Sequence, residues 1–304
     1  MQFSIFQESR RGGRKSNQDR VAYCYSRNAL LLLLADGMGG HLHGEIAAQI
    51  ALQSITQAFK RAAQPRLPDP GAFLRDALLG AHHAIVQGAA EAGLPETPRT
   101  TCVASVVQDH SACWAHAGDS RLYHLREGRI LAQTKDHSLV QQLIDSGRMR
   151  EEAAPAHPAR NRIYNCLGSA RPPRVDLSAT VRLEAGDVLL LCSDGLWSPL
   201  SGKIISSAIL KDGIMQAVPG LLDEAERRAG RECDNLSAIA MRWEEQPGGT
   251  QSEQIPAERK PPQALAAKTA GAGAAQGDYL SDDEIERAIA QIRNAIKRQT
   301  DDKT

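Results

Sequence analysis

The sequence predicts a globular chain that mixes helices with short strands, and two patterns carry this prediction. Ile46, Ile50 and Ile55 recur among alanines at roughly helical spacing over residues 44–60. From Thr101 onward the pattern changes to short β-like runs separated by turns. The chain has 42% apolar and 24% charged residues, a balance that suits a protein with a buried core rather than a disordered one.

The first hundred residues contain two predicted strands and two predicted helices. Phe3 to Gln7 is interpreted as a strand, and Arg10 to Lys15 as a basic loop. Leu30 to Leu34 is an apolar run typical of a buried strand. After the helix over residues 44–60, Asp69 and Pro70 are typical of the N-cap and first position of a second helix.

The rest of the chain up to residue 244 continues as short elements. Glu127 and Gly128 predict a turn between two strands, whereas residues 147–162 are rich in proline and histidine towards their end and predict a loop. The predicted strands cover 102–107, 112–117, 121–125, 129–133, 188–192 and 236–243, and the predicted helices cover 139–146 and 202–229.

Charge and composition exclude several classes of partner and location. Lys plus Arg and Asp plus Glu each number 36, so a net charge of zero gives no indication of nucleic acid or an anionic membrane as partner. The longest apolar run, Ala29 to Ala35, is far below the ~20 residues of a membrane span. The N-terminus has no signal-peptide pattern, and the six scattered cysteines are typical of reduced thiols. We therefore expect a cytoplasmic protein.

Composition also predicts the domain organisation. Residues 1–244 are expected to form one globular domain, and residues 245–279, rich in Pro, Gly, Ala and Gln, a flexible linker. Residues 280–299 then predict an amphipathic helix with a capping box at its start. Its apolar face needs a partner, and we expect a partner protein. This face consists of Ile285, Ile289, Ile292 and Ile296.

Two apolar runs end in the same dipeptide. The first stops at Asp36 and Gly37, and the second at Asp194 and Gly195. Asp-Gly is a common turn dipeptide, so either one alone fits a simple turn. The first is followed by a Gly-rich loop with His41, and a carboxylate, free carbonyl groups and an imidazole fit a hard cation and its substrate.

Further acids stand beside unusual polar neighbours. Asp19 follows an Asn-Gln pair, Asp119 lies in a Gly-Asp-Ser-Arg run, and Asp234 precedes Asn235. If these acids converge with the two strand-end acids, their repulsion calls for cations. Oxygen ligands favour magnesium, manganese or calcium over zinc. Arg14 is then a candidate fork for a phosphate group.

Eight motifs occur together in a recognisable order and approximate spacing. They cover about four fifths of the chain and resemble those of the PP2C-type (PPM) phosphatase family, in its bacterial stand-alone form. The motifs are Arg14–Asp19, Asp36–His41, Thr100–Thr101, Ala117–Arg121, Thr134–Ser138, Leu167–Gly168, Ser193–Trp197 and Asp234–Ser237.

The resemblance implies an α+β fold, a four-layer α-β-β-α sandwich of two antiparallel sheets flanked by helices. It also implies two metal ions, or three, of manganese or magnesium at one end of the sandwich. A variable flap over residues 136–162 would border the substrate groove.

The resemblance further implies a role for each site residue. Asp36 would bridge two metals, the Gly37 carbonyl would bind one, and Asp194 and Asp234 would hold the other. Asp19 would reach the metals directly or through water, and Asp119 would join Asp194 at a third site. In addition, Arg14 would bind the phosphate group and His41 would protonate the leaving alkoxide.

The function that follows from the resemblance is that of a metal-dependent protein serine/threonine phosphatase. Two metals ~3.5–4 Å apart would activate hydroxide for attack on phosphoserine or phosphothreonine. The substrates would be phosphorylated proteins, supplied by a Hanks-type Ser/Thr kinase. The alternative is a catalytically silent phosphoprotein-binding or scaffold protein that acts through its C-terminal helix. The sequence has no Cys-x5-Arg loop and no Gly-x-Ser-x-Gly elbow, which argues against cysteine or serine nucleophiles.

Overall fold

The computed structural model of the protein describes residues 1–38 and 43–244, except for the side chains of residues 155 and 156. The predicted linker over 245–279, the predicted helix over 280–299 and His41 lie outside the described residues. The strands are β1 (Phe3–Arg10), β2 (Asp19–Tyr25), β3 (Ala29–Asp36), β4 (Cys102–Gln108), β5 (Ser111–Ala117), β6 (Arg121–Arg126), β7 (Arg129–Gln133), β8 (Asp176–Leu177), β9 (Val181–Arg182), β10 (Val188–Cys192) and β11 (Leu236–Trp243). The helices are α1 (Gly44–Ala62), α2 (Pro70–Glu91), α3 (Leu139–Asp145), α4 (Asp194–Trp197) and α5 (Gly202–Ala229), with short 3-10 turns at Glu151–Ala156 and Gly230–Glu232.

The run of five leucines shows how the layers are stacked. Leu30, Leu32 and Leu34 point from β3 into an apolar core that lies between the sheet containing β3 and the other sheet. Leu31 and Leu33 point the opposite way, into a core shared with α1 and α2. A strand that is buried on both faces has no solvent-facing positions to alternate with, so its sequence is continuously apolar.

The strands form two antiparallel sheets. One has the order β1-β11-β10-β6-β7, and the other β2-β3-β4-β5-β8 with β9 also paired to β5. Helices α1 and α2 cover the second sheet, α5 covers the first, and the inner faces of the sheets pack on each other. This confirms the predicted four-layer α-β-β-α sandwich.

Most predicted elements appear within one to three residues of their expected ends. Asp69 caps α2 by accepting a hydrogen bond from the Ala72 amide, at 2.9 Å, as its position before a proline predicts. Helix α5 is interrupted at Gly213, which follows Asp212 and has φ of 66°, a backbone conformation that favours glycine.

One local expectation was wrong, and two elements were not predicted. Strand β2 was not predicted, because most of its residues are only partly buried on both faces and give no clear alternation. Arg10 ends β1 rather than beginning the basic loop, since β1 pairs with β11 as far as Arg10 and Leu236. The short helix α4, which begins at Asp194, was also not predicted.

The structure also bears on the membrane and cysteine expectations. Within residues 1–38 and 43–244, none of the helices combines the length and the apolarity that crossing a bilayer requires. All six cysteines are free thiols, and five of them are buried. Their role is therefore one of packing, as expected for scattered cysteines.

A buried acid in the second half of the chain, Asp187, stabilises the first sheet through several hydrogen bonds. The side chain of Asp187 is fully buried and accepts hydrogen bonds from His124, from the Glu184 amide and, through both oxygens, from Arg126. We expect Asp187→Ala to lower the free energy of unfolding by about 3 kcal/mol, because it leaves buried donors without a partner. Urea unfolding monitored by circular dichroism measures this loss.

The matched control is an exposed acid that also binds an arginine. Asp223 accepts from Arg10 at 2.6 Å, but its side chain is 71% exposed. We expect Asp223→Ala to cost less than about 1 kcal/mol, the usual value for a surface ion pair. Equal losses in the two variants would mean that burial of Asp187 does not determine its contribution.

Candidate metal centre

The acids of the predicted site begin at the edge where β2 and β3 pair. Asp19 opens β2 and lies directly opposite Asp36, the last residue of β3. The backbone of Asp36 is fixed from the other side, since its carbonyl oxygen accepts from the Thr101 amide and from the Thr100 hydroxyl, both at 2.8 Å. The two carboxylates are thus brought together by strand register rather than by flexible loops.

Gly37 follows Asp36 at a point where three backbone segments meet. A Cβ at this position would lie 2.4 Å from the Gly44 carbonyl oxygen and 2.8 Å from that of Gln18. Only a glycine fits here without displacing backbone, which explains the residue type after the first acid.

Asp194 reaches the same place from the other sheet. It opens α4 directly after β10, and the preceding Ser193 donates its hydroxyl hydrogen to Asp19 Oδ2 at 2.7 Å. The Ser193 hydroxyl oxygen in turn accepts from the Ser237 amide at 3.0 Å. Ser193 therefore joins the two sheets at this end of the sandwich.

Asp234 and Asn235 attach the N-terminal loop to the acids. The Asn235 side chain accepts from the Gln18 amide and donates to the carbonyl oxygens of Arg11 and Ser16, with distances of 2.8 to 2.9 Å. The guanidinium of Arg14 lies 2.5 Å from a carboxylate oxygen of Asp234. An arginine that is half exposed is thereby held against the acid cluster.

Asp119 lies at the crossover from β5 to β6, that is, from one sheet to the other. It is almost fully buried, and Gly118 before it has φ of 121°. A Cβ on Gly118 would lie 2.4 Å from the Thr101 Cβ atom, so both its conformation and its surroundings require glycine. Asp119 thus approaches the cluster from a tight turn.

The electrostatics of the five acids show that they share one environment. Burial, followed by the negative charges of the other four acids, raises the pKa of Asp36 well above its usual range. Burial and the charges of Asp234 and Asp19 raise the pKa of Asp194 to about 7, although Arg14 opposes this shift. Burial also raises the pKa of Asp19 to about 6 and, with Asp194, that of Asp119. The positive charges of Arg14 and Arg121 compensate only part of the negative charge of the cluster.

The residues present fit divalent cations with a preference for oxygen. Asp19 Oδ1 is buried and has no hydrogen-bond partner among the described residues. An ionised oxygen in this state needs a ligand, and carboxylates without histidine or cysteine favour magnesium, manganese or calcium. Asp19, Asp36, Asp119, Asp194 and Asp234 could hold such ions.

A cavity of about 650 Å³ opens beside this cluster. Its walls include Arg14, Arg160, Asp194, Ser198, Arg231 and Asp234. The cavity lining therefore combines acids of the cluster with arginines, a set of residues that can receive an anionic group next to bound cations.

A second cluster, which the sequence analysis missed, lies at the base of the segment 138–163. One ligand atom each of His116, His137 and Asp176 lies within 4.8 Å of the other two. The hydrogen bonds around His137 oppose a metal there. Asn165 is oriented by the Arg174 backbone, so its amide donates to His137 Nδ1 at 2.6 Å.

The Gly118 amide also donates to His137 Nδ1, at 3.2 Å. Nε2 of His137 must then carry the proton and direct it towards Asp176, 3.3 Å away. The main chain of His137 accepts from Tyr164 and donates to Gly118, so this residue connects the end of the segment 138–163 to the turn before Asp119. The role of His137 is therefore structural.

The structure thus brings together six of the predicted site residues, namely Arg14 and the five acids, with Gly37 directly beside Asp36. His41 lies outside the described residues. Ser193 and Asn235 lie within the quoted motifs, but the sequence alone gives them no role, because hydrogen bonds between residues more than 170 positions apart leave no local pattern. Their position directly beside Asp194 and Asp234 is the sequence feature that could have indicated their importance.

Comparison with known proteins gives the family. A family model for protein phosphatase 2C matches residues 7–214. Protein phosphatase PhpP of Streptococcus pneumoniae is 34% identical over 239 residues, which are 76% of this chain and 94% of PhpP. The structure of serine/threonine phosphatase Stp1 from Staphylococcus aureus matches with a TM-score of 0.75 at 30% identity, and covers 81% of this chain and 96% of Stp1.

A solved structure of the catalytic domain of serine/threonine protein phosphatase PstP in complex with two manganese ions also matches. Its TM-score is 0.67 at 31% identity, and the match covers 79% of this chain and 97% of that domain. The chain belongs to the protein phosphatase 2C family, whose members depend on metals, and it is a serine/threonine protein phosphatase of bacterial type.

The acid cluster makes a prediction for the metal-free protein. In EDTA at about pH 8, we expect Asp36→Asn to raise the free energy of unfolding by about 1–2 kcal/mol, because it removes one of the mutually repelling charges. The folded-state pKa values of Asp19 and Asp194, about 6 and about 7, exceed that of an unfolded aspartate. The folded wild type therefore binds excess protons near pH 5 and loses this stability as the pH rises to 8.

Urea unfolding at the two pH values measures both effects. Asp36→Asn should lose less stability over this interval than the wild type, whereas the exposed Asp223→Asn should behave like the wild type. Saturating manganese should stabilise the wild type at pH 8. A variant less stable than the wild type in EDTA at pH 8 would contradict the account of a repulsive cluster.

Proposed function

We propose that this chain hydrolyses phosphoserine and phosphothreonine in proteins with the help of two divalent cations, manganese or magnesium, held by its acid cluster. The observation that carries the proposal is the convergence of five mostly buried carboxylates beside an arginine-lined cavity. Asp36, Asp194 and Asp234 would hold the two ions together with the Gly37 carbonyl, and Asp119 with Asp194 would hold a third. When bound, the ions would activate water and neutralise the charge of the phosphoryl group.

The chain's own residues would bind the phosphate group and orient the ligands of the ions. Ser193 fixes one oxygen of Asp19 by a hydrogen bond, which leaves the buried Oδ1 to face the ions or their water. Arg14 lies at the wall of the cavity, where its guanidinium can exchange Asp234 for two phosphate oxygens once cations neutralise the acid. His41 is the candidate proton donor to the leaving alkoxide.

The thiols support a mechanism without a covalent phosphoenzyme. Burial raises the pKa of Cys24, Cys113 and Cys166 to about 11, and it raises the pKa of the fully buried Cys102 and Cys192 as well. A thiol is nucleophilic only as the thiolate. These five cysteines are therefore poor nucleophiles at neutral pH.

The cellular setting belongs to the same proposal. A Hanks-type serine/threonine kinase in the cytoplasm would supply the phosphoproteins that this enzyme consumes. Residues 1–244 would form the phosphatase domain with a flap over 136–162, and residues 245–279 a linker. The helix predicted over 280–299 would bind a protein partner through its isoleucine face.

Hydrolysis of a phosphothreonine peptide tests the proposed reaction. We expect turnover of this peptide and of p-nitrophenyl phosphate only with added manganese or magnesium, and much slower turnover of a phosphotyrosine peptide. Asp194→Asn should remove nearly all turnover, whereas alkylation of thiols should not, since no cysteine takes part. Activity that survives EDTA would refute the metal-dependent reaction.

Arg14 is expected to act mainly on substrate binding. Arg14→Ala should raise KM about tenfold and change kcat little, because a phosphate fork binds the ground and transition states alike. Arg14→Lys keeps the charge but not the fork, so its KM should lie between the two. Steady-state kinetics with the phosphothreonine peptide measure both constants, and Arg66→Ala, a distant exposed arginine, is the control. A loss confined to kcat would contradict this role.

A further inference from the structure

The cavity beside the acid cluster carries more positive charge than one phosphate requires. Apart from Asp194 and Asp234, its walls hold three arginines and a single acid, Glu232. Arg14 accounts for one of the three arginines, since it contacts Asp234 and is the proposed ligand of the phosphate group. The positive charge of Arg231 is left for another anion.

Arg231 differs from the arginines that precede it on the same polypeptide segment. Arg227 and Arg228 both form ion pairs with Glu224, at 2.7 and 2.6 Å. The exposed guanidinium of Arg231 has no ion-pair or hydrogen-bond partner in the part of the chain that the structure describes. A planar donor fork without a partner in a cavity wall is suited to bind a carboxylate or a phosphate from a ligand.

The main chain fixes the position of Arg231 relative to the site. Its carbonyl oxygen lies so close to Gly13 that a Cβ there would be 2.3 Å away. The Gly13 amide donates to the Cys233 carbonyl at 2.9 Å, directly before Asp234. The backbone of Arg231 is therefore joined through these contacts to the loop that carries Arg14, and it stays close to the proposed phosphate site.

The cavity lining also includes a residue from a basic segment of the chain. Arg160 belongs to residues 153–175, which contain four arginines and no acidic residue. All four arginines of this segment are exposed. A peptide entering the cavity would thus pass close to this basic segment, which favours anionic side chains.

We propose that Arg231 forms a subsite for an anionic side chain close to the phosphorylated residue of the substrate. The preferred substrates are then phosphoserine or phosphothreonine peptides with a flanking aspartate, glutamate or second phosphate. This inference rests on the proposed phosphatase function and adds the class of substrate that the same site selects.

Kinetics on a matched set of peptides test the subsite. Phosphothreonine peptides of one sequence would carry aspartate, alanine, lysine or a second phosphothreonine at each neighbouring position in turn. For wild type with manganese, we expect kcat/KM to be about fivefold higher with aspartate than with alanine, and higher again with the second phosphate, mainly through KM. This preference should weaken as the salt concentration rises.

Variants assign the preference to one side chain. Arg231→Ala should reduce kcat/KM for the acidic peptides to that for the alanine peptide, and Arg231→Glu should favour the lysine peptide instead. Arg227→Ala, an exposed and paired arginine outside the cavity walls, should keep the wild-type preference.

The outcomes of these experiments distinguish failure of the subsite from failure of the phosphatase function. A wild-type enzyme that hydrolyses all peptides equally, or a preference that survives Arg231→Ala, would overturn the subsite while leaving the phosphatase function intact. Absence of metal-dependent turnover on every peptide and on p-nitrophenyl phosphate would overturn both.

Discussion

Repulsion among carboxylates at one end of the sandwich is the constraint on which the functional part of this structure depends. Asp36 experiences the charges of four other acids, and burial deprives every acid of the cluster except Asp234 of the hydration that would weaken their repulsion. Arg14 provides partial compensation through Asp234. A fold that keeps such a cluster gives up stability in the absence of cations, and divalent ions restore it. The same charge that opposes folding therefore gives affinity for the ions that the proposed reaction needs.

The architecture explains why the acids meet. Asp36 ends a strand of one sheet, Asp194 follows a strand of the other, and both strands are buried on both faces. Each sheet is held from outside by helices and from inside by its partner sheet, so the strand ends are rigid. The hydrogen bond from Ser193 to Asp19 connects the sheets at this point. Rigid ligands suit a site in which small displacements of bound ions alter the reaction.

Much of the fold could be predicted from sequence because its strands and helices have strong local patterns. The leucine run of β3 and the capped start of α2 are examples, and the eight motifs supplied the four-layer architecture. Strand β2 could not be predicted, since its residues are partly buried without alternation. The acids of the candidate site could be singled out one by one. Their convergence, the bridging role of Ser193 and the cluster of His116, His137 and Asp176 depend on contacts between distant residues and require the structure.

The central claim is that the carboxylates, and not the histidine cluster, hold the cations. Anomalous diffraction from crystals grown with manganese tests it most directly, because the anomalous signal locates each manganese ion without reference to activity. The account predicts at least two peaks bounded by Asp36, Asp194 and Asp234, and their loss in crystals of Asp36→Asn. Peaks confined to His116, His137 and Asp176, or an acid cluster that stays free of manganese at saturating concentration, would contradict it.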